Sequence, residues 1–144
     1  MLGRTVLDTD VLVAAVRSDR GASRVLLTAA LQQRYPALAS VPLMLQYESV
    51  LKRLEHLAAA GITAEDVDVL LDAVARVAEP IQISYLWRPL LSDPTDDLVL
   101  ETAVNGRASA IVTFNRQDFR AAENRFGIDI LTPGTAVQRL GDAL

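Results

Sequence analysis

The sequence contains no cysteine. Disulfides, thiolate nucleophiles and cysteine-based zinc sites are therefore excluded, and a reducing cytoplasm is the expected setting. There is a single histidine, His56. Multi-histidine metal sites are thereby removed. A Ser-His-Asp triad would have to use a residue lying in a charged helical stretch with Lys52, Arg53 and Glu55. Lysine is equally scarce, Lys52 standing alone beside thirteen arginines. No long hydrophobic run is present. The apolar stretches are cut by Asp8, Asp10, Gln32 or Arg53, short of the roughly 18 residues that cross a bilayer. No charged-then-apolar-then-small pattern precedes the first strand, so no signal peptide and no membrane association are expected. Net charge is −4 and the isoelectric point about 4.9. That balance argues against broad, charge-driven nucleic-acid binding. It leaves room for a nuclease, whose metal-binding carboxylates contribute negative charge of their own.

What is present is a chain of 144 residues, 51% hydrophobic, long enough for one domain over residues 1–144 with a sizeable core. Arg4–Leu7 reads as a short buried strand, followed by a helix from Val11 with Thr9 or Asp10 as its cap. Arg24–Arg34 reads as a second helix and Ala37–Val41 as a strand. Pro42 suits the first position of a helix running to about Ala59, which Gly61 ends. Thr63 is an N-cap with Asp66 at the capping-box position. Val67, Leu70, Leu71, Val74 and Val77 follow at helical spacing until Pro80. Ile81–Ile83 reads as a strand and Trp87–Pro94 as a loop. A helix then runs from Thr95 or Asp96 to Asn105, closed by Asn105-Gly106. Ala110–Thr113 and Ile128–Leu131 are buried strands, and Pro133 opens a last helix. Short apolar strands alternating with helices predict an α/β fold with a mostly parallel central sheet.

In open parallel sheets the chemistry collects at the carboxyl ends of the strands. The residues just past those ends are Asp8 and Asp10 after the first strand, and Asn115 through Asp118 after Ala110–Thr113. Asp96 begins the helix between them. Three readings fit. The first is transfer through an aspartyl phosphate, since LDTDVLV superficially resembles the D-x-D of haloacid-dehalogenase-type phosphatases. That chemistry needs a lysine late in the sheet, and Lys52 is early. The second is a metal-dependent nuclease. Clustered carboxylates repel and raise one another's pKa until a cation neutralises them. Hard oxygen ligands suit Mg²⁺ or Mn²⁺, and no histidine or cysteine is required. The third is that each aspartate is a helix cap or turn residue. Taken singly, that reading suits Asp10, Asp19, Asp66, Asp68, Asp93 and Asp142. It suits Asp8 less, because a lone carboxylate directly after a buried strand needs a partner.

TVLDTDVLVAAV resembles the opening of PIN domains, whose first strand ends in D-T-N or D-T-D. VPLMLQYESVLKR resembles their second motif, and DPTDDLVLETAVNGRASAIVTFNRQDF their third and fourth. The closing ILTPGTAVQRL is similar to the helix that ends many members. The resemblance covers nearly the whole chain and is nearest to the VapC-type ribonucleases, the toxins of bacterial toxin–antitoxin operons. It implies a three-layer α/β/α fold and a Mg²⁺- or Mn²⁺-dependent endoribonuclease acting on RNA. It also implies a cognate antitoxin that fills the acidic groove, and a homodimer.

Carried over by position, the resemblance makes Asp8, Asp96 and Asp118 the metal-binding and catalytic carboxylates. Asn115 takes a slot where many members have aspartate, and Thr113 becomes a supporting hydroxyl. The second motif departs from the pattern: the slot before Tyr47, usually glutamate, holds Gln46, and Glu48 follows. At about 100° per residue, Gln46 lies about 80° from the centre of the apolar face Leu43, Tyr47, Val50, Leu51 and Leu54, and Glu48 about 120° away. Gln46 is thus read in the glutamate position, with Glu48 a weak substitute. An uncharged residue there opens an alternative, a PIN-fold module that binds antitoxin or RNA without efficient cleavage. Arg17, Arg20, Arg24, Arg116 and Arg120 are candidate phosphate contacts, the plainer reading being solvated helix faces. Tyr85 and Trp87 are read as packing residues rather than base-stacking ones.

Overall fold

Thr5–Leu7 (β1), every residue of it buried, lies beside Ala110–Val112 (β4), which in turn pairs with Asp129–Leu131 (β5). All of these pairings are parallel. The structure is a computed structural model that describes residues 1–84 and 94–141, without the side chains of 94–96. Leu38–Ala39 (β2) and Glu79–Pro80 (β3) form a second parallel ladder. Thr5 N–H donates to the Pro36 carbonyl at 2.9 Å and Thr5 pairs with Ala37, so the two ladders continue as one surface. The order across it is β3-β2-β1-β4-β5.

Helices fill the intervals: α1 (Thr9–Arg17), α2 (Ala22–Leu31), α3 (Val41–Leu51), α4 (Leu54–Ala60), α5 (Ala64–Val77), α6 (Pro94–Asn105), α7 (Arg120–Phe126) and α8 (Pro133–Gly141). A 3-10 turn, Arg116–Phe119, leads into α7. The core is aliphatic, built on Val6, Val11, Leu26, Leu43, Val99 and Ile111 around a buried Phe119. No described helix is long and apolar enough to cross a membrane.

Several expectations are corrected. The helix expected from Pro42 to Ala59 is two helices, because Arg53 takes extended backbone angles (φ −62°, ψ 137°) and caps α4. Leu54, expected on the apolar face, is consequently exposed. The strand expected at Ile81–Ile83 starts two residues earlier, at Glu79–Pro80. A proline is tolerated there because the donors to β2 are its neighbours: Glu79 N–H bonds Ala37 and Ile81 N–H bonds Ala39, each at 2.8 Å. The missing N–H of Pro80 falls on the outer edge. The first helix is capped by Asp8 rather than by Thr9 or Asp10. The short helix α7 follows β4 where no helix was expected. The capping box of Thr63 and Asp66 forms in both directions, at 3.2 and 2.9 Å. Tyr85, Trp87, Asp93 and Asp142 lie outside the described residues.

Two buried polar contacts set the helices around the sheet edge. Ser40, the N-cap of α3, shares a 2.7 Å hydrogen bond with Thr102 of α6. The Tyr47 hydroxyl of α3 donates to the Leu7 carbonyl at the end of β1. These bonds fix α3 and α6 relative to the point where β1 delivers Asp8.

Candidate active site

Asp8 is buried at the carboxyl end of β1. Its backbone N–H still belongs to the ladder, donating to Val112 at 2.9 Å. Its side chain turns back on itself and across the sheet. One carboxylate oxygen accepts from Thr9 N–H at 2.7 Å, which caps α1, and the other accepts from the Thr113 hydroxyl at 2.7 Å. The Thr113 oxygen in turn accepts from Asn115 N–H at 2.9 Å. Two adjacent strand ends are thus tied through one hydroxyl.

Asp10, read from the sequence as a cap or turn residue, belongs to this site. It stands in the first turn of α1, and its Oδ2 accepts from Phe114 N–H at 3.2 Å and from the Asn115 side-chain amide at 3.1 Å. Its Oδ1 is buried with no hydrogen-bond partner among the described residues. Burial is the first cause that pushes its carboxyl up to about 7, and the charge of Asp8 is the second. Asp8 is likewise pushed up by burial, against the opposing hydrogen bonds from Thr113 and Thr9; the charge of Asp118 adds a smaller push. The spacing Asp8-x-Asp10 across a strand-to-helix junction was the available signal. It was missed because a first-turn aspartate is so common a helix device.

Gln46 of α3 enters from the opposite side. Its amide donates to the Thr9 hydroxyl at 2.9 Å, and its Oε1 is buried without a partner. Glu48 faces the other flank of α3, where it accepts from Lys52 at 3.2 Å beside Asp68, which pairs with the same lysine at 2.7 Å. Asp118 is exposed on the 3-10 turn, its N–H bonded to the Asn115 carbonyl at 3.0 Å. Asp96 lies in the first turn of α6, two residues before Leu98, which borders the site; its side chain falls outside the described residues.

Asp8, Asp10, Gln46 and Asn115 line a pocket of about 540 Å³, whereas Glu48 and Asp118 do not reach it. Asp8, Asp10, Gln46 and Asn115 supply its polar wall, and Pro42, Leu45, Val50 and Leu98 its apolar one. Among the described residues no three carboxylates stand close enough together to hold an ion by themselves. The donor set nevertheless suits a hard cation. Buried Asp8 and half-buried Asp10 lie side by side, and two buried oxygens, Asp10 Oδ1 and Gln46 Oε1, have no hydrogen-bond partner among the described residues.

Of the arginines singled out in the sequence, Arg24 and Arg116 spend their Nε–H on the carbonyls of Ala15 (2.6 Å) and Ile130 (3.1 Å). Arg17, Arg20 and Arg120 are exposed, and none of the five lines the pocket.

The sequence model of the PIN domain matches residues 4–117, from just before β1 into the 3-10 turn. The chain belongs to the PIN domain family. Among solved structures, this PIN chain is similar to a chain in the crystal structure of VapBC2 from Rickettsia felis bound to a DNA fragment from their promoter. The TM-score is 0.60 at 17% identity, covering 90% of this chain and 98% of that one. At that identity the likeness concerns the fold, an α/β three-layer PIN architecture with a parallel sheet. No curated protein sequence matches this PIN domain.

Proposed function

We propose that this PIN domain is a Mg²⁺- or Mn²⁺-dependent endoribonuclease, the toxin of a toxin–antitoxin pair, acting in the cytoplasm as a homodimer that a cognate antitoxin neutralises. The observation that carries the nuclease reading is the pair of buried Asp8 and half-buried Asp10, whose carboxylates form no ion pair among the described residues. Two carboxyls packed together where burial raises both are an arrangement that folding alone would not favour. The toxin reading is supported by the family and by the fold shared with the VapBC2 chain.

In this reading Asp8, Asp96 and Asp118 hold the cation, with Asp10 beside them. When bound, such a cation supplies Lewis acidity toward water and toward a phosphate oxygen. The chain's own residues do the positioning. Thr113 donates its hydroxyl hydrogen to Asp8 and accepts Asn115 N–H on the same oxygen. Thr9 links Asp8 to Gln46, and the free Gln46 Oε1 is an acceptor for water or an ion. Glu48, held by Lys52, takes no part.

One observation favours the second reading, a PIN module that binds RNA or antitoxin without efficient cleavage: Gln46 brings an amide where a carboxylate would add charge. A panel of single-stranded and structured RNAs, incubated with Mn²⁺ or with chelator, separates the two. Metal-dependent cleavage that disappears in Asp8→Asn is the expected result. A folded protein silent on every RNA, with Gln46→Glu silent too, would leave the binding module.

A further inference from the structure

Lys52 and Arg53 are neighbours at the break between α3 and α4, and the break sends them to different places. Lys52 turns outward and pairs with Glu48 and Asp68, tying α3 to α5. Arg53 lines the acidic pocket, and it is the one cation among the described residues that does. Among those residues its guanidinium has no ion pair and no hydrogen bond; only its backbone is engaged, the carbonyl accepting from His56 and Leu57 at the start of α4. It also stands beyond ion-pair distance from Asp8 and Asp10, so the pocket has acid on one wall and an unspent fork of donors at its rim.

We infer that Arg53 binds a backbone phosphate of an RNA strand whose neighbouring phosphate lies against Asp8 and Asp10. This rests on the nuclease reading above and adds the contact that holds the substrate there. The chemistry favours it on three counts. A chain of net charge −4 repels a polyanion, and a metal ion held by the aspartates would offset that only at the phosphate being cut, so the neighbouring phosphate needs a cation of its own. A guanidinium can grip a phosphate through two parallel N–H bonds, which the compact ammonium of a lysine cannot. The apolar wall of Leu45, Val50 and Leu98 beside Arg53 offers a base or sugar a dry face, while Ser49 adds a hydroxyl.

The test is Arg53→Ala and Arg53→Lys, measured beside the wild type for cleavage of a single-stranded RNA in Mn²⁺. Arg53 is exposed, so both variants should fold as the parent does. The expected result is a KM raised about tenfold in Arg53→Ala with kcat within about twofold, and a partial effect in Arg53→Lys. Binding of the same RNA to Asp8→Asn and to Asp8→Asn with Arg53→Ala should differ in salt dependence, the slope falling by about 1. Mn²⁺ affinity by calorimetry should be unchanged in Arg53→Ala. Cleavage with unaltered KM and salt slope overturns the assignment and leaves the nuclease reading intact. A wild type that neither cuts nor binds RNA overturns the nuclease reading and the assignment with it.

Discussion

Thr113 donates its hydroxyl hydrogen to Asp8 at 2.7 Å, joining the ends of β1 and β4. Both residues are buried, and the same oxygen receives Asn115 N–H at 2.9 Å. Thr113→Val keeps the shape and removes both bonds, leaving a buried carboxylate oxygen and a backbone N–H short of partners. The expected loss of stability is about 1–3 kcal/mol, read as a lower denaturant midpoint. Thr113→Ser should recover most of it. A valine variant as stable as the parent would show that water replaces the hydroxyl.

The two aspartates make stability depend on pH. The Asp10 carboxyl is raised to about 7 from an ordinary 3.8, and Asp8 is raised as well. Between those values the folded chain holds a proton that the unfolded chain has released. Stability of the metal-free protein should therefore fall as pH rises from about 4 through about 7, then level off. Thermal unfolding across that range checks the sign, and Asp10→Asn should flatten the slope. Adding Mn²⁺ at pH 7.5 should raise the Tm, since an ion that binds only the folded state stabilises it by mass action. A metal-free Tm that climbs over this interval would contradict the raised carboxyls.

Gln46→Glu adds a charge next to Thr9, at the edge of the Asp8 and Asp10 pair. Without metal a third carboxylate should lower the Tm. With Mn²⁺ it should tighten binding by about tenfold. Glu48→Gln, on the far flank of α3 against Lys52, should change neither. Calorimetric titration of the three proteins decides whether position 46 or position 48 communicates with the ion.

Gly106 closes α6 against the sheet. A Cβ there would stand 2.9 Å from side-chain carbons of Leu38 and Ile81 and 2.9 Å from the Thr102 carbonyl. The backbone oxygen cannot swing away, and the Gly106 carbonyl is itself held by Arg4. Gly106→Ala should cost about 1–3 kcal/mol through overpacking. Chemical denaturation measures it, and a neutral result would mean that α6 can shift on the sheet.

The alternation of strands and helices was legible because buried parallel strands are short apolar runs, and the helices announce themselves by caps such as Thr63 and Asp66. The break at Lys52–Arg53 was not, since no glycine or proline marks it and the apolar spacing runs on to Leu54. The strand at Glu79–Pro80 was hidden for a related reason. Proline argues against a strand until the geometry shows that its missing N–H faces outward.

Sequence alone determined the α/β class, the strand end that delivers Asp8, and the likeness to PIN domains, all of which follow from local pattern and spacing. Tertiary structure decided what each polar group faces. It drew Asp10 out of a capping role and into the pocket, gave Gln46 and Glu48, whose opposite flanks the helical spacing already indicated, their partners Thr9 and Lys52, and left Arg53 without an ion pair among the described residues while Arg24 and Arg116 went to backbone carbonyls. Those outcomes depend on how α1, α3 and the loop after β4 meet across the sheet edge, and spacing along one chain cannot encode such a meeting.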